Sequence, residues 1–558
     1  MSNAGKISGI KPKIGEYLRF KVYLPFICVL ISYYIFERGN LFHTNVDSAR
    51  YMLSALMQSE AAILAIVISL SLVAVQLTHT YFPRVTEILT YIRGLWLLVI
   101  AYIFAILYTS CVLKMIKPNP GSYLEAHNSI YCFLDISSCY FLGVFCLTAL
   151  IPYTIYMFTK LKPSTIIKDL SQKITKDTGL AIGPIQQIMD LVRGSIMRYD
   201  YETARKGLEE VKERICALFK NEELTEEEKK KISRKTCEYF SRIGKLLLNT
   251  EYGDLALELI SNIKEIEETA AEYELVEASL ETILSLGEIG MAAVEKLLEK
   301  VAFETAYYLG EIGMAAVDKG FKETVREATK SLGEIGKAAV KKDLEEEVWE
   351  VFSILRRIGM AAIEKESRKA GGKAAYYLGE IGMAAVEKLL EEEARESARI
   401  PKRIGMAAVE KGFEETVREV ATSLGEVGKA AVEKEFEKSA REAAYYLGEI
   451  GIAAAEGGFA ELIKLIASSL GEIGIAAAEG GFGWKTWEVL SILGEIGIIM
   501  SINDSREGTE EVVSILRRIR MIALKRSLRG EAKEITLILE KIERNRRKQF
   551  LKEIRRSK

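Results

Sequence analysis

The chain has 558 residues, a formal net charge of −2 and a mean hydropathy of +0.09, values that average two different parts. Residues 1–162 carry 13 Lys and Arg against 7 Asp and Glu, whereas the remainder carries 63 against 71. Eight of the nine prolines precede residue 185. This scarcity argues against a β-sandwich or a loop-rich fold in the C-terminal part, because turns there would want proline as well as glycine.

Four apolar runs occupy the first part, at residues 18–36, 52–78, 94–115 and 129–159. Each supplies the roughly 20 residues that a helix needs to cross a hydrocarbon core of about 30 Å. A basic stretch precedes the first run and no small-residue cleavage site follows it, which favours a retained helix over a signal peptide. We predict a four-helix transmembrane domain over residues 1–162.

Positive charge is heaviest before the first run and after the fourth. Because cytoplasmic loops carry the excess of Lys and Arg, both termini are predicted to be cytoplasmic. The sequence thus predicts a multi-pass protein of the cell membrane, with the lipid bilayer as its first partner.

Two acidic residues, Glu60 and Asp135, lie well inside apolar runs, and the predicted topology puts both towards the outer ends of their helices. Intramembrane carboxylates usually face a bundle interior or a water cavity, and around an oligomer axis they would form rings that attract cations. With Ser69 they make a candidate ion path. The alternatives are that the carboxylates are hydrated at headgroup level and that the serines join helices.

One segment of the second run carries a family resemblance. Residues 69–77 read Ser-Leu-Ser-Leu-Val-Ala-Val-Gln-Leu, and Phe82-Pro83-Arg84 follows. The pattern resembles an uncharacterised family of predicted prokaryotic integral membrane proteins, over about residues 50–165. The resemblance implies several membrane helices and no settled activity. Gln76, Pro83 and Arg84 are either interfacial anchors or a fixed elbow that couples the second span to the cytosolic part.

A helical connector is predicted over residues 163–240, and the C-terminal part beyond it is a strict repeat. In the connector, Thr225 and Glu228 have the spacing of a capping box.

The phrase Leu-Gly-Glu-Ile-Gly recurs at a constant interval along the C-terminal part. Its first glycine lies at positions 287, 310, 333 and onward, and three units hold Lys or Arg in place of this glycine. The frame extends to residues 241 and 540. This regularity predicts about thirteen stacked units over residues 241–540, none of them stable alone.

Each unit has helical periodicity, since Leu286, Ile289 and Ala293 share one helix face. We expect a helix of about 14 residues, a turn and a shorter helix in each unit. A second glycine column follows three residues after the first and either ends the longer helix or permits close packing. Pro401, which replaces a column leucine, is the expected irregularity of the stack.

The units also carry a family resemblance. Leu309-Gly310-Glu311-Ile312-Gly313, followed by Ala315-Ala316-Val317, resembles the HEAT-like repeat family, although these units are shorter and lack its Asp-Pro turn. The resemblance implies an α-solenoid, a scaffold that generally binds or organises other molecules. The predicted fold is therefore all-α, with four transmembrane helices followed by a cytosolic solenoid.

Two sets of side chains recur along the predicted solenoid. Glutamate fills one column at eight positions, including Glu288, Glu311 and Glu334, and stacking is expected to place the column in one line. The column is either a solvated ridge with ion pairs between units or a groove for a basic partner or cations. Tyrosine pairs recur in every third unit, at Tyr307, Tyr376 and Tyr445, and are either packing residues or a peptide-binding ladder.

The remaining features bear on chemistry. The last segment, 541–558, holds 9 Lys and Arg against 2 acids. It can contact anionic lipid, pair with the acidic solenoid or end as a solvated helix.

The sequence has no P-loop, dinucleotide fingerprint, nucleophile elbow or metal cluster. Catalysis, metals and cofactors are therefore not expected, and the net acidic solenoid disfavours nucleic acid.

Two functions remain open at this point. The first is a non-enzymatic, membrane-anchored scaffold or sensor whose solenoid binds a protein partner or mediates assembly. The second is an oligomeric, cation-preferring channel with Glu60 and Asp135 near its outer mouth and the solenoids as a cytosolic vestibule or gate. A homo-oligomer is expected, because four helices with so few polar faces do not easily enclose a pore alone.

Overall fold

The chain is helical throughout the part that the structure describes. This computed structural model describes residues 25–35, 38, 46–81, 93–116, 130–160, 162–174, 178–250, 252–480, 483–502 and 506–557. Twenty-one α-helices and no strand occur in these ranges. The all-α prediction is confirmed.

Four helices lie in the apolar N-terminal part. They are α1 Pro25–Ile35, α2 Val46–Tyr81, α3 Arg93–Met115 and α4 Ile130–Lys160. Three segments of the described chain are long and apolar enough to cross a membrane, namely Asp47–Val73, Leu98–Met115 and Ile136–Ile155. Of the predicted first span, only α1 lies within the described residues. It packs antiparallel to α4 through the ring pairs Phe26–Phe145 and Tyr33–Phe141, at 5.2 and 5.6 Å.

Helices α2, α3 and α4 pack against one another. Their apolar side chains form two buried clusters at different heights. The first cluster contains Leu53 and Val112, and the second contains Val67 and Tyr102. Since the residue number rises along α2 as it falls along α3, these two helices are antiparallel.

Four helices follow the membrane segments. They are α5 Pro163–Ser171, α6 Thr178–Ile196, α7 Tyr201–Phe219 and α8 Glu226–Leu248. The predicted capping box starts α8. The backbone N–H of Glu228 donates to Thr225 Oγ1 at 3.3 Å, and the N–H of Thr225 donates to the Glu228 carboxylate at 2.9 Å.

Thirteen further helices follow at the repeat spacing. They are α9 Gly253–Glu272, α10 Val276–Glu295, α11 Glu299–Lys319, α12 Lys322–Lys341, α13 Glu345–Glu364, α14 Arg368–Glu387, α15 Glu391–Glu410, α16 Glu414–Glu433, α17 Glu437–Glu456, α18 Ala460–Glu479, α19 Gly483–Ile502, α20 Arg506–Lys525 and α21 Arg529–Ser557. The predicted basic tail is the end of α21.

Each repeat unit forms one continuous helix rather than a long and a short one. In α10, both column glycines, Gly287 and Gly290, lie inside a helix of 20 residues. The prediction of a longer helix followed by a shorter one was wrong, because neither glycine column ends the helix. Pro401 likewise lies inside α15, whose length equals that of α14 and α16.

Successive helices alternate between two layers. From α8 onward, each helix packs against the next helix and against the one after that. We call α8, α10 and so on to α20 the even layer, and α9, α11 and so on to α21 the odd layer. Two repeat units therefore make one helical pair, which has the length of a HEAT unit.

The glycine columns permit close packing of neighbouring helices within a layer. A methyl group at Gly290 of α10 would come within 2.6 Å of Ile335 Cδ1 of α12, and one at Gly287 within 2.8 Å of Ser331 Oγ. The same relation recurs in the described helices of both layers. The close-packing alternative for the second glycine column is confirmed.

The chain divides into two compact units. The first comprises Met1–Lys173 and Asp190–Gly207, and the second comprises Ile174–Met189 and Leu208–Lys558. The three candidate membrane spans lie in the first unit and the repeat helices in the second. Residues of the predicted connector contribute to both.

Candidate functional site

A buried carboxylate lies at the middle of the membrane bundle. Glu60 occupies the midpoint of the candidate span Asp47–Val73, and its side chain is 2% exposed. Neither carboxylate oxygen has a hydrogen-bond partner among the described residues. Glu60 therefore does not lie near the end of its span, where it was expected, because α2 continues for more than three turns on either side of it.

Glu60 separates the two apolar clusters of the bundle. On α2 it lies one turn after Leu56, which packs on the first cluster, and one turn before Leu64, which packs on the second. The residue that faces it on α4 is Gly143. A methyl group there would come within 3.2 Å of Glu60 Oε1 and 2.8 Å of Leu56 Cδ1. The carboxylate thus lies directly against the α4 backbone.

Other buried polar side chains join the helices of the bundle. Ser71 Oγ lies 2.9 Å from Tyr153 Oη, between α2 and α4. The Tyr102 hydroxyl of α3 donates to the carbonyl oxygen of Cys146 in α4 at 2.9 Å. Thr109 of α3 is an exception, since its fully buried hydroxyl has no partner among the described residues.

The column of glutamates in the solenoid is divided between the two layers. Because consecutive units alternate, equivalent residues of every second unit are neighbours in a layer. The even layer holds five consecutive glutamates, which we call the acidic row: Glu288, Glu334, Glu380, Glu426 and Glu472. The odd layer holds a mixed column: Glu265, Glu311, Arg357, Arg403, Glu449 and Glu495. The predicted single line of glutamates was wrong, because neighbouring units do not lie in the same layer.

Lysines two helices earlier pair with alternate members of the acidic row. Each lysine lies 43 residues before its glutamate. The Nζ–carboxylate distances are 2.7, 2.6 and 3.2 Å for Lys245–Glu288, Lys337–Glu380 and Lys429–Glu472. The equivalent positions before Glu334 and Glu426 hold methionine, at 291 and 383. These two glutamates are exposed and have no ion-pair partner among the described residues.

The electrostatics of the acidic row follow this pairing. Hydrogen bonds from Lys245 and Ser241 lower the pKa of Glu288. The pKa of Glu426 is raised, first because its carboxylate is partly withdrawn from water and then because Glu380 and Glu472 lie nearby. The two neighbours of Glu426 in the row are thus close enough in space to act on it, which agrees with the layered arrangement.

The acidic row ends in an open groove of about 660 Å³ between α16, α18 and α20. All three helices belong to the even layer. Lys429 and Arg518 are the basic residues of the groove, and its acidic residues are Glu433, Glu435, Glu472, Glu479 and Glu511. The glutamates of the row and the groove therefore outnumber the basic residues that lie among them, Lys245, Lys337, Lys429 and Arg518.

The tyrosine pairs do not form one ladder. Since the pairs recur in every third unit and the layers alternate, Tyr307 and Tyr445 lie in the odd layer and Tyr376 in the even layer. Within the odd layer, lysines that replace column glycines lie over the second ring of each pair. Lys264 Nζ is 4.7 Å from the Tyr308 ring centroid, and Lys402 Nζ is 4.8 Å from that of Tyr446.

The same lysines pair with the glutamates that follow the tyrosines. Lys264 Nζ lies 2.7 Å from the Glu311 carboxylate, and Lys402 forms the equivalent ion pair with Glu449. The hydrogen bond from Lys264 lowers the pKa of Glu311. Tyr307 Oη also donates to the Glu311 carboxylate, at 3.1 Å. The contacts of Lys264 and Lys402 join neighbouring odd-layer helices, which agrees with the packing interpretation of the tyrosines.

One known family matches the N-terminal part of this chain. Residues 17–243 match the family described as "Predicted membrane protein (DUF2254)". This match confirms the resemblance of the N-terminal part to a family of predicted membrane proteins. It ends where the repeat frame begins, so that the repeats lie almost wholly beyond it. No curated protein matches the chain.

A solved structure also matches the chain. It is a "Circular tandem repeat protein with novel repeat topology and enhanced subunit contact surfaces", 17% identical, with a TM-score of 0.41, and the match covers 68% of this chain and 98% of that one.

The other residues predicted for the membrane part are dispersed. Ser69 is exposed on the outer surface of the bundle, away from the buried Glu60. Asp135 lies in α4 directly before the candidate span Ile136–Ile155, and Gln76 lies in α2 beyond Val73. Pro83 and Arg84 lie outside the described residues. The structure therefore does not gather the candidate path into one site.

Several residues of both sites were not singled out in the sequence. Thr109 and Gly143 are single residues in apolar helices, and no spacing connects them to Glu60. The lysines of the acidic row did carry a signal, because Lys337 and Lys429 each follow the second column glycine. Their partners lie 43 residues later. This separation indicates an ion pair only when helices two apart are known to be neighbours in one layer.

Proposed function

We propose that this protein is a membrane-anchored scaffold, in which α2–α4 hold the chain in a bilayer and the solenoid binds a basic segment of a protein partner. The observation that carries the proposal is the acidic row, which is unbroken through five even-layer helices and continues into an acidic groove. We place the protein in the cell membrane with cytoplasmic termini, from the distribution of Lys and Arg. No enzymatic step is part of the proposal.

The charges of the row suit a partner that supplies Lys or Arg. Glu334 and Glu426 are exposed and lack ion pairs within the described chain, so that each can accept a charge without losing an existing contact. Single exposed ion pairs contribute up to about 1 kcal/mol. A row of them gives both affinity and faster association of an oppositely charged partner.

The test uses the full-length protein in lipid nanodiscs and a fluorescent lysine-rich peptide as the probe. We expect the peptide to bind with an affinity that falls as salt is added. Glu426→Gln should weaken binding up to about fivefold, because it removes one exposed charge from the row. Fluorescence anisotropy measures both effects.

Glu495→Gln is the matched control. It removes the same charge from an exposed glutamate of the odd layer. We expect this variant to bind the peptide like the parent protein. Equal weakening by both substitutions would show that the peptide responds only to net charge, and the acidic row would then lose its assigned role.

The channel hypothesis remains a prediction. It would need polar groups on a surface that several copies could share, whereas Glu60 lies inside the bundle of one chain. Oligomerisation is also a proposal, because only one copy of the chain is described. Selective ion flux into liposomes that Glu60→Gln abolishes would favour the channel over a scaffold alone.

A further inference from the structure

The geometry of the membrane bundle points to a binding site for one positive charge, formed by the Glu60 carboxylate and the Thr109 hydroxyl between the two apolar clusters. The occupant is either a proton or a small monovalent metal cation such as Na⁺. A carboxylate oxygen can take up a proton, and carboxylate and hydroxyl oxygens can both coordinate Na⁺. This site is independent of the proposed role of the solenoid.

The register of the bundle places the two side chains at the same height. Along α2, Glu60 lies between Leu53 of the first cluster and Val67 of the second, and along antiparallel α3, Thr109 lies between Val112 of the first cluster and Tyr102 of the second. Both residues therefore lie between the two clusters, at a similar height in the bundle. Both side chains are buried, at 0% and 2% exposure, and their three oxygens have no partner among the described residues.

An ionised carboxylate in this position is strongly unfavourable. Burial removes its water, and an apolar surrounding supplies neither a hydrogen bond nor a counter-charge. A proton on the carboxylate, or a bound cation, removes the unpaired charge. Carboxylates inside membrane bundles usually mark sites that bind ions or protons. We therefore interpret Glu60 as a residue that binds and releases a proton or a cation.

Neither Arg50 nor Lys114, the basic side chains that the structure describes in α2–α4, supplies a counter-charge to Glu60. Arg50 is ten residues from Glu60, about 15 Å along α2, and its guanidinium already donates to the Ile116 carbonyl oxygen at 3.1 and 2.5 Å. Lys114 of α3 is exposed. The titratable side chains close enough to interact with Glu60 are Tyr102 of α3 and Cys146 of α4. Both types are ordinarily uncharged at neutral pH.

The experiment uses the full-length protein in lipid nanodiscs and the hydrophobic reagent dicyclohexylcarbodiimide. The O–H of a protonated carboxyl adds across one C=N bond, and the acyl group then migrates to nitrogen, so that a stable adduct forms without a leaving group. We expect an adduct on Glu60 in buffer free of Na⁺ and Li⁺, identified by peptide mass spectrometry. The adduct should be lost in Glu60→Gln.

Added metal ions distinguish the two occupants. If Na⁺ or Li⁺ binds, labelling slows about tenfold when the ion is at about ten times its Kd, since the bound ion displaces the reactive proton. If labelling is unchanged by either ion, the occupant is a proton. Absence of the adduct in ion-free buffer would overturn the site, as would equally fast labelling by a water-soluble carbodiimide.

Thr109→Val and Ser59→Ala form the matched pair of variants. The first keeps the shape of the side chain and removes the buried hydroxyl, and it should change the rate of labelling or the protection by Na⁺ at least about threefold. The second removes an exposed hydroxyl that donates to the Ala55 carbonyl oxygen at 2.8 Å, and it should change neither. Equal behaviour of the two variants would exclude Thr109 from the site.

Discussion

One residue just after each repeat helix from α9 to α17 takes left-handed backbone angles. After α14 this residue is Leu389, with φ +64°. Its N–H donates to the Val386 carbonyl oxygen at 3.2 Å, and the next N–H, of Leu390, donates to that of Ala385 at 2.9 Å. This pattern closes a helix in a Schellman motif, where glycine is the favoured residue. Glycine occurs at this position in three of the described turns, including Gly458.

Leu389→Gly is predicted to stabilise the turn between α14 and α15. A side chain with a Cβ atom costs about 1 kcal/mol or more in this conformation, and Leu389 is 63% exposed, so that little packing is lost. Amide exchange at the end of α14 should slow several-fold, as measured by native-state hydrogen exchange.

The reverse change, Gly458→Leu, should accelerate exchange at the end of α17. Its φ of +78° strains a side chain with a Cβ atom, and no atom lies within 4 Å of the new Cβ to add a packing effect. Faster exchange in Leu389→Gly would contradict the assigned backbone conformation.

At the scale of the helix, packing within a layer depends on the absence of side chains. A methyl group at Gly379 of α14 would lie 2.6 Å from Ser423 Cβ and 3.1 Å from Ser423 Cα of α16. These atoms belong to the helix backbone or are attached to it directly. Rotation of a side chain therefore cannot relieve the contact, and the two helices would have to separate.

Gly379→Ala is predicted to destabilise the solenoid by about 1–2 kcal/mol. Overpacking typically costs about 1–3 kcal/mol, which exceeds the gain of about 0.5–1 kcal/mol from replacing glycine inside a helix. Chemical unfolding followed by circular dichroism measures the change. Gly183→Ala in α6 is the control, because nothing lies within 4 Å of its added Cβ. It should be neutral or stabilising, and a similar loss in both variants would argue against the contact.

At the scale of the molecule, α21 packs against the two helices that precede it, α19 and α20. Ile538 and Ile542 of α21 lie against Gly494 and Gly497 of α19, where methyl groups would approach within 2.9 and 2.7 Å. Towards the end of α21, Gln549 Nε2 donates to the Ile502 carbonyl oxygen at 2.5 Å. The basic tail also pairs with the repeats, through Arg546 and Glu510 at 3.2 Å. These contacts support the pairing of the tail with the solenoid.

Removal of residues 529–558 is predicted to loosen only the neighbouring end of the solenoid. Each repeat helix contacts only nearby helices, so the loss of one interface lowers the stability of the adjacent helices alone. Hydrogen exchange should become faster by tenfold or more in α19 and α20 and stay unchanged in α10–α12. A uniform change along all repeat helices would show instead that the solenoid unfolds as one cooperative unit.

The division of the molecule into two parts and the spacing of its helices are readable from the sequence. Apolar runs of about 20 residues are readable without a fold, because a bilayer requires that length. The constant interval of the repeat is readable because each stacked unit must present the same face to its neighbours. What it misidentified was the turn. The second glycine column was one candidate for the end of a helix, whereas the left-handed position often holds Leu297, Glu366 or Leu389, which carry no turn signal.

Which residues share a surface depends on how the helices pack. The column that contains Glu288 and Glu311 is one line in the sequence, but neighbouring units pack in opposite layers, because each helix buries two faces against the next helix and the one after it. The acidic row, its pairing with lysines two helices earlier and the separation of the tyrosine pairs all follow from that alternation. In the membrane part, the antiparallel packing of α2 and α3 brings Glu60 and Thr109 to a similar height between the two apolar clusters, which spacing along the chain does not indicate.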